Sequence, residues 1–336
     1  MKKTTVVILN WNGKKFLEQF LPSVTKYSSQ DARIVVADNQ STDDSIRFIQ
    51  NNYPEIEIIV NDKNYGFAKG YNVALKQVDT EYFVLLNSDV EVTENWIAPI
   101  IQLMDSNPKI AACQPKIKDF YKKEYFEYAG AAGGFIDYLG YPLCRGRIFN
   151  TLEKDNGQFN DTSEIFWATG AALFIRAKLF KEINGFDEQF FAHMEEIDLC
   201  WRLKNLGYQI MYCSESIVYH VGGGTLNKIN PKKTYLNFRN NLLVLHKNLQ
   251  KNKRFKILFL RLILDGMAGI KLLFEGKPKH TFAIIQAHFS FYSRLKENRK
   301  KRNRVTSPNL FGIIPKSTLL ASFLLNKKTF KQIIEN

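Results

Sequence analysis

The sequence predicts an α/β fold: a mostly parallel sheet covered by helices on both faces, followed by a helical, basic C-terminal extension. Short β-branched and apolar runs alternate with helical periodicity through the first hundred residues, three of those runs stop at polar clusters, and positive charge gathers in the last third of the chain.

Residues 5–9 form a continuous β-branched and apolar run suited to a strand buried on both faces, and the segment 10–13 ends it. Residues 14–26 carry Phe16, Leu17, Phe20, Leu21 and Val24 at helical spacing, with Pro22 as a blemish. Residues 32–37 are a second buried strand that runs into Asp38. Ser41 or Thr42 is placed to cap the next helix, with Asp43 and Asp44 in its first turn, where carboxylates meet the positive end of the helix dipole. Residues 57–60 are a third strand, a glycine-bearing turn at 64–66 leads into a helix at 69–76, and residues 81–86 are a fourth strand. The clusters Asn10-Trp11-Asn12, Asp38-Asn39 and Asn87-Ser88-Asp89 thus collect at the carboxyl ends of strands, where open sheets bind ligands.

Between residues 115 and 166 the pattern loosens into aromatics, glycines and a polar stretch at 150–161, which reads as an irregular insertion or long loops with room for a lid. Regularity returns with a strand at 171–175, a helix from Lys178, a helix at 196–206 stopped by Gly207, and short strands at 210–212 and 217–219 leading to His220 and three glycines. Further on, residues 237–249, 255–274 and 280–295 are apolar helical candidates, followed by a basic run at 299–304 and an apolar stretch at 319–325. The segment 255–274 contains Lys256, Arg261, Asp265 and Lys271, which a spanning helix would hold at high cost, so a helix lying in a membrane interface with snorkelling lysines is expected. The chain divides accordingly into a domain over 1–250 and a basic amphipathic tail over 251–336.

With 336 residues, 45% apolar and 13% aromatic, the chain can bury one large core or two moderate ones, which excludes a disordered linker or a miniature held by metal or disulfides. Four cysteines without a CxxC pair suit a reducing compartment, and the apolar run before Asn10 is too short for a signal-peptide core, so a cytosolic start is expected. The formal charge of +14 is uneven: residues 1–227 hold 23 basic and 29 acidic side chains, residues 228–336 hold 24 and 4. Such a tail calls for a polyanionic surface, nucleic acid or anionic lipid.

Asp89 would bind a hard cation mainly when phosphate oxygens complete the shell, although Asn-Ser-Asp also suits a plain turn. Glu195, Glu196 and Asp198 open a helix, where they either cap it or supply a base for a hydroxyl proton. Glu195 and Glu196 point about 100° apart, so one of them faces the crevice. His220 is either structural or a ligand to phosphate or metal, since the glycines after it allow a close backbone bend. The loop 64–72 can present amides and Lys69 to an anion, yet matches neither GxxxxGK[ST] nor GxGxxG. No nucleophile elbow, HExxH or CxxC occurs, which removes the commonest hydrolase and zinc signatures.

Six motifs, VVILNWNG (6–13), VVADNQSTDDS (35–45), NDKNYGFAKGYNVAL (61–75), YFVLLNSDVEV (82–92), ATGAALFIRAKLFKEINGFDEQFFAHMEEIDLCWRLKNLGY (168–208) and VYHVGGGT (218–225), stand in order. Together they resemble glycosyltransferase family 2, the inverting GT-A transferases, and within it rhamnosyltransferase-like members of bacterial surface-polysaccharide pathways. The likeness spans residues 4–248. It implies a GT-A, Rossmann-like nucleotide-diphospho-sugar transferase fold. It assigns Asn10 and Asp38 to the base and ribose, Asn64, Gly66 and Asn72 to the nucleotide pocket, and Ser88 and Asp89 to the end of a DxD-type metal motif whose first carboxylate is Asn87 here. His220 matches a histidine that helps hold metal and diphosphate. Glu195-Glu196 stands where the family has Glu-Asp, so Glu196, one methylene longer, is the implied catalytic base, with Glu195 and Asp198 as rivals.

Trp167, Thr169, Gly170 and His193 are expected to wall the acceptor pocket. The resemblance implies Mg²⁺ or Mn²⁺, a nucleotide-diphospho-sugar donor with dTDP-rhamnose suggested by the subgroup, and a glycan acceptor linked to polyprenyl diphosphate. It implies peripheral action on the cytoplasmic side of the inner membrane, with the tail on anionic lipid and residues 228–239 near the acceptor's diphosphate. Nucleic acid is not expected as a partner, because it leaves the apolar runs unexplained, and a homodimer is left open. Two rivals would use the same crevice: a nucleotidyltransferase releasing pyrophosphate, and a carbohydrate-binding protein with a degenerate, inactive domain.

Overall fold

A computed structural model describes residues 2–222, 230–302 and 310–335 of the chain. Gly223, Gly224 and Thr225 of the last motif, Lys228 and Arg304 of the basic run lie outside the described residues. The N-terminal half alternates as β1 (Thr4–Asn10), α1 (Lys14–Ser28), β2 (Ala32–Asp38), α2 (Ser45–Asn52), β3 (Glu57–Val60), α3 (Gly66–Leu75) and β4 (Tyr82–Asn87). A short β5 (Val90–Val92), α4 (Ala98–Ser106) and a long β6 (Ile110–Asp119) follow. Next come β7 (Gly134–Asp137), β8 (Pro142–Cys144), β9 (Arg147–Ile148) and β10 (Thr151–Leu152). The chain then runs through β11 (Ser163–Ile165), β12 (Ala172–Arg176), α5 (Ala177–Glu182), α6 (Glu195–Asn205) and β13 (Gln209–His220). The C-terminal part is helical: α7 (Pro231–Asn248), α8 (Lys251–Phe274), α9 (Pro278–Lys300), β14 (Ile313–Ile314), α10 (Thr318–Phe323) and α11 (Phe330–Ile334).

The main sheet has the order β11-β13-β6-β12-β4-β1-β2-β3, with β5 paired to β13. The strands β4, β1, β2 and β3 are parallel, as their connecting helices require, whereas β12 runs antiparallel between β4 and β6. Alternation along β1 splits the core: Val6 and Ile8 pack with Leu17 and Leu21 of α1 and Ile100 of α4, while Val7 packs with Ala68, Tyr71 and Ala74 of α3. Pro22 sits on the exposed side of α1, where helix-compatible neighbours Leu21 and Val24 remain buried.

Several expectations change. Ser41 and Thr42 do not cap α2, which starts at Ser45 after Asp44. Ser41 instead bonds Asp38, and Thr42 N donates to Asn12 Oδ1 at 2.7 Å, so both stitch together the loops after β1 and β2. Helix α3 begins at Gly66, not Lys69. The segments 210–212 and 217–219 are one strand, β13, interrupted by a register shift between Cys213 and Ile217. The region 115–166 is more regular than expected: between irregular turns it completes β6 and supplies β7 to β10 of a second sheet, β10-β9-β8-β7-β14. Strands of two to four residues are too short to display a period-2 pattern, which hid this sheet from the sequence. Its close packing is visible at Gly134, where an added Cβ would lie 2.1 Å from the Trp167 ring.

The expected boundary at 250 falls between α7 and α8, but the chain's end returns to the body. β14 pairs in parallel with β7, Thr318 N donates to Asp137 Oδ2 at 2.9 Å, and the Phe330 ring meets Phe135 at 4.9 Å between centroids. The four cysteines are buried and free.

A buried ion cluster fastens α6 to the C-terminal helices. Lys247 Nζ of α7 contacts Asp187 Oδ2 at 2.6 Å and Asp198 Oδ2 at 2.8 Å, Arg202 Nε reaches Asp198 at 2.8 Å, and Lys301 reaches Asp187 at 2.8 Å. Burial alone would raise the Asp187 carboxyl, but Lys247 and Lys301 hold it well below the usual carboxylate range. Breaking such a cluster leaves buried charge uncompensated. Lys247→Met is therefore expected to lower the unfolding free energy by about 3–5 kcal/mol at neutral pH. Because a depressed carboxyl contributes stability above its unfolded pKa and loses it as pH falls, the gap between variant and wild type should narrow in acid, measured by urea denaturation at pH 7 and pH 3.5.

Candidate active site

The strand register brings the first polar groups together. Asn10 stands opposite Asp38 across β1 and β2, and Leu9 opposite Asn87 across β1 and β4, so three strand ends share one edge of the crevice. Asn10 and Asp38 are fully buried. Asn10 Nδ2 donates to Asp38 Oδ2 at 2.8 Å and Ser41 Oγ at 3.1 Å, and Asp38 accepts both the amide and the hydroxyl of Ser41 at 2.7 Å. Asn10 Oδ1 is left without a hydrogen-bond partner. An added Cβ at Gly13 would sit 2.4 Å from that oxygen and 3.7 Å from Ser88 Oγ, so the glycine keeps this polar corner open beside Ser88.

The loop into α3 contributes less than the sequence suggests. Asn64 Oδ1 accepts Gly66 N at 2.9 Å, forming a local turn. Gly66, at φ 72°, lies so close to Phe191 that a Cβ would come within 2.7 Å of its ring. Lys69 pairs with Glu188 at 3.5 Å and lies over the Tyr65 ring. Asn72 braces a turn: its amide donates to Phe186 O at 2.8 Å and accepts from Phe186 N at 2.9 Å, fixing the turn after Gly185.

Asp89 and His220 meet across β5 and β13, with Asp89 Oδ1 3.2 Å from His220 Nε2. A residue that no sequence pattern marked, Glu127, places Oε2 3.3 Å from His220 Nδ1, at ion-pair distance. All three side chains are nearly buried. Burial opposes the charge on each partner, yet attraction prevails: the Asp89 carboxyl is lowered, and His220 is raised well above its ordinary value by Glu127 and Asp89. No group of three or more His, Cys, Asp or Glu among the described residues is arranged to hold a metal alone. A carboxylate and an imidazole so close fit a divalent cation that takes its remaining oxygens from a diphosphate, with Glu127 behind the imidazole as an orienting carboxylate.

The acidic helix start is built under strain. Phe191, His193 and Met194 all have positive φ (65°, 70° and 73°), which non-glycine residues rarely adopt. Helix α7 clamps this turn: Asn240 Nδ2, fully buried, donates to Phe190 O, Ala192 O and His193 O at 3.1, 2.9 and 2.7 Å, and Arg239 Nη2 donates to Gln189 O and Phe190 O at 3.0 Å. The polar pair Asn240-Asn241 inside an apolar helical run was the available sequence signal for this role.

Beyond the turn, Glu195 Oε2, Glu196 Oε2 and His193 Nε2 are buried with no hydrogen-bond partner. Burial, then the charge of Glu196, raises Glu195 well above the usual carboxylate range, and burial pushes Glu196 up to about 7. Burial and then Lys233 push His193 down to about 4. Asp198 is corrected as a rival base: it is fully buried, its carboxylate engaged by Arg202, Lys247 and Asn248. Burial raises the Cys144 thiol against the lowering effect of the Arg147 guanidinium beside it.

Two residues expected to wall the acceptor pocket are buried, each with a hydrogen bond to the body. Trp167 is buried with its indole N–H donating to Phe135 O at 2.9 Å, and Thr169 is buried with its amide donating to Gln114 Oε1 at 2.9 Å. Gly170 is half-buried, and a Cβ there would stand 3.0 Å from the Phe67 ring. His193, half-buried at the strained turn, keeps a free ring nitrogen.

Comparison with known proteins joins this geometry to a family. The pattern described as glycosyl transferase family 2 matches residues 5–183. The chain is 24% identical over 230 residues to N-acetylglucosaminyl-diphospho-decaprenol L-rhamnosyltransferase of Mycobacterium tuberculosis, spanning 64% of this chain and 75% of the relative. It is 23% identical over 216 residues to rhamnosyltransferase WbbL of Escherichia coli, spanning 62% and 79%. Among solved structures, residues 1–349 of S. aureus TarS in complex with UDP-GlcNAc give a TM-score of 0.55 at 17% identity, covering 89% of both chains. The mannosyltransferase PcManGT from Pyrobaculum calidifontis, in complex with GDP-Man and Mn²⁺, gives 0.54 at 12% identity, covering 86% of this chain and 87% of that one. The structural likenesses establish the GT-A fold, and with the family pattern matched from β1 through α5, over more than half its length, the chain belongs to glycosyl transferase family 2.

Proposed function

We propose that this glycosyltransferase works by inversion, moving a sugar from a nucleotide-diphospho-sugar, dTDP-rhamnose in the first instance, to a hydroxyl of a polyprenyl-diphosphate-linked glycan at the cytoplasmic face of the membrane. The observation that carries this reading is the pair of carboxylates at the start of α6, Glu195 buried and Glu196 half-buried, each with one buried, unpartnered oxygen, one of them ionising near neutrality. Glu196 accepts the acceptor's hydroxyl proton. The acceptor oxygen forms its bond to the anomeric carbon as the bond to the diphosphate oxygen breaks on the opposite face, and the nucleoside diphosphate leaves. One displacement inverts the centre.

Asn10, Asp38 and Ser88 form the polar corner for the nucleoside, with Asn10 Oδ1 free to accept from a base. Asp89 and His220 would hold Mg²⁺ or Mn²⁺, which when bound supplies positive charge to offset the departing diphosphate. The rhamnosyl donor and the lipid-linked acceptor are supported by the names of the M. tuberculosis and E. coli relatives.

Glu196→Gln is expected to lower kcat by roughly 10²–10⁴-fold while nucleotide-sugar binding, followed by calorimetry, is retained. The same loss appearing in Glu195→Gln alone would move the base one residue. In wild type, kcat/KM should rise with pH through about 7 as Glu196 loses its proton. A carboxyl raised in the folded state costs stability as pH climbs past its unfolded value, so Glu196→Gln should melt higher than wild type at pH 8 and lose that advantage at pH 5. Asn240→Ala, which strands carbonyls of the strained turn, should lose about 1–3 kcal/mol of stability by urea denaturation and lower kcat more than donor affinity. Release of a nucleoside diphosphate, rather than pyrophosphate from a nucleoside triphosphate, distinguishes this reaction from nucleotidyl transfer.

A further inference from the structure

Helix α8 is amphipathic the wrong way round for a helix on a protein surface. Its charged residues Arg261 and Asp265 face inward and are buried: Arg261 lies over the Tyr141 ring at 3.7 Å and donates to Leu139 O at 3.1 Å, and Asp265 pairs with Arg261 at 3.4 Å and His288 of α9 at 3.3 Å. The opposite side carries Phe259, Ile263, Met267, Ile270 and Phe274, spaced three and four residues apart and between 47% and 88% exposed. Arg261 and Phe259 are about 160° apart round the helix. An apolar side turned to water with the charges turned in means that the outward side has another medium.

The neighbouring helix continues the pattern. The contacts Gly269 O with Thr281 Oγ1 and Asp265 with His288 make α8 and α9 an antiparallel hairpin, and α9 exposes Phe282, Ile285 and Phe289. The stripe centres about 140° round from the line of contact on α8 and about 85° on α9, in the same rotational sense, which in an antiparallel pair turns both stripes to the same side. Lys271 of α8 lies over the Phe323 ring of α10 at 5.1 Å, and α10 adds exposed Leu320 and Leu324 beside it. Exposed cations sit at both ends of the hairpin. Lys253 and Lys256 begin α8 where Arg299 and Lys300 end α9, and Lys277 and Lys279 mark the turn.

We propose that the outward side of the α8–α9 hairpin, extended by α10, docks on an anionic lipid bilayer, the apolar stripes entering the acyl boundary while the terminal lysines and arginines meet the headgroups. No helix among the described residues is long and apolar enough to cross a membrane, so the hairpin lies in the interface. A second copy of this chain fits the surface less well, because it would bring the same cations against one another. This deepens the membrane part of the function proposed above but stands on the surface alone, and its test requires no turnover.

The test is flotation of the full chain with vesicles of phosphatidylcholine alone and of equal parts phosphatidylcholine and phosphatidylglycerol. Wild type is expected to float with the anionic vesicles, less with the neutral ones, and less in high salt. Phe259→Glu combined with Met267→Glu should reduce the partition coefficient by roughly a hundredfold or more while melting temperature and nucleotide binding stay unchanged, since both side chains are exposed. Failure of wild type to float, or equal flotation of the double variant, overturns the proposal. So does a wild-type dimer in solution that the double variant converts to monomer without change in flotation. Loss of transfer in Glu196→Gln leaves these outcomes untouched, so the two readings fail separately.

Discussion

Much of the architecture serves to hold two carboxylates, unpartnered on one oxygen each, in a buried place at the start of a helix. Folding disfavours this arrangement twice: the turn before α6 passes through three left-handed residues, and the carboxylates lose hydration without gaining full hydrogen bonding. It persists because α7 over-determines it. Asn240 and Arg239 tie down the backbone of the turn, while Lys247 and Asn248, one to two turns further on, fix the far side of α6 through Asp198. Asp198, which on sequence competes with Glu196 for the proton-accepting role, is engaged by Arg202, Lys247 and Asn248, while Glu196 Oε2 is left without a partner.

The same contrast runs through the other charges. Where a carboxylate is paired, as in Asp89 beside His220 or Asp187 beside Lys247, its pKa falls; where it is buried without a cation, as in Glu195 and Glu196, it rises. The molecule thus contains a low-pKa group suited to binding positive charge and a high-pKa group suited to taking up a proton. Separation of this kind divides leaving-group stabilisation from acceptor activation.

The C-terminal helices join the body to an exposed apolar surface. α7 clamps the turn before α6, Lys301 at the end of α9 joins the buried cluster, and α8 and α9 expose the apolar stripes. β14 and Phe330 anchor the end of the basic extension on the second sheet.

The sequence by itself determined the strands β1 to β4, the helices between them, the polar clusters at their ends, the acidic start of α6 and the segregation of basic charge, because each is written in local periodicity or composition. The second sheet was not legible, since its strands are too short for a pattern and its register depends on partners distant in the chain. Nor could local sequence separate Glu196 from Asp198, two residues apart in the first turn of one helix and alike in chemistry. Arg202 lies one turn along the same helix from Asp198, but only the tertiary structure, by bringing Lys247 and Asn248 to that carboxylate and no cation to the other, decided which is held in an ion pair and which is left to ionise near neutrality. Glu127 and Asn240 belong to the same class: their roles arise from what lies across the fold, His220 and the turn at 190–193, and electrostatics and hydrogen bonding act over ångströms, not over residues of sequence.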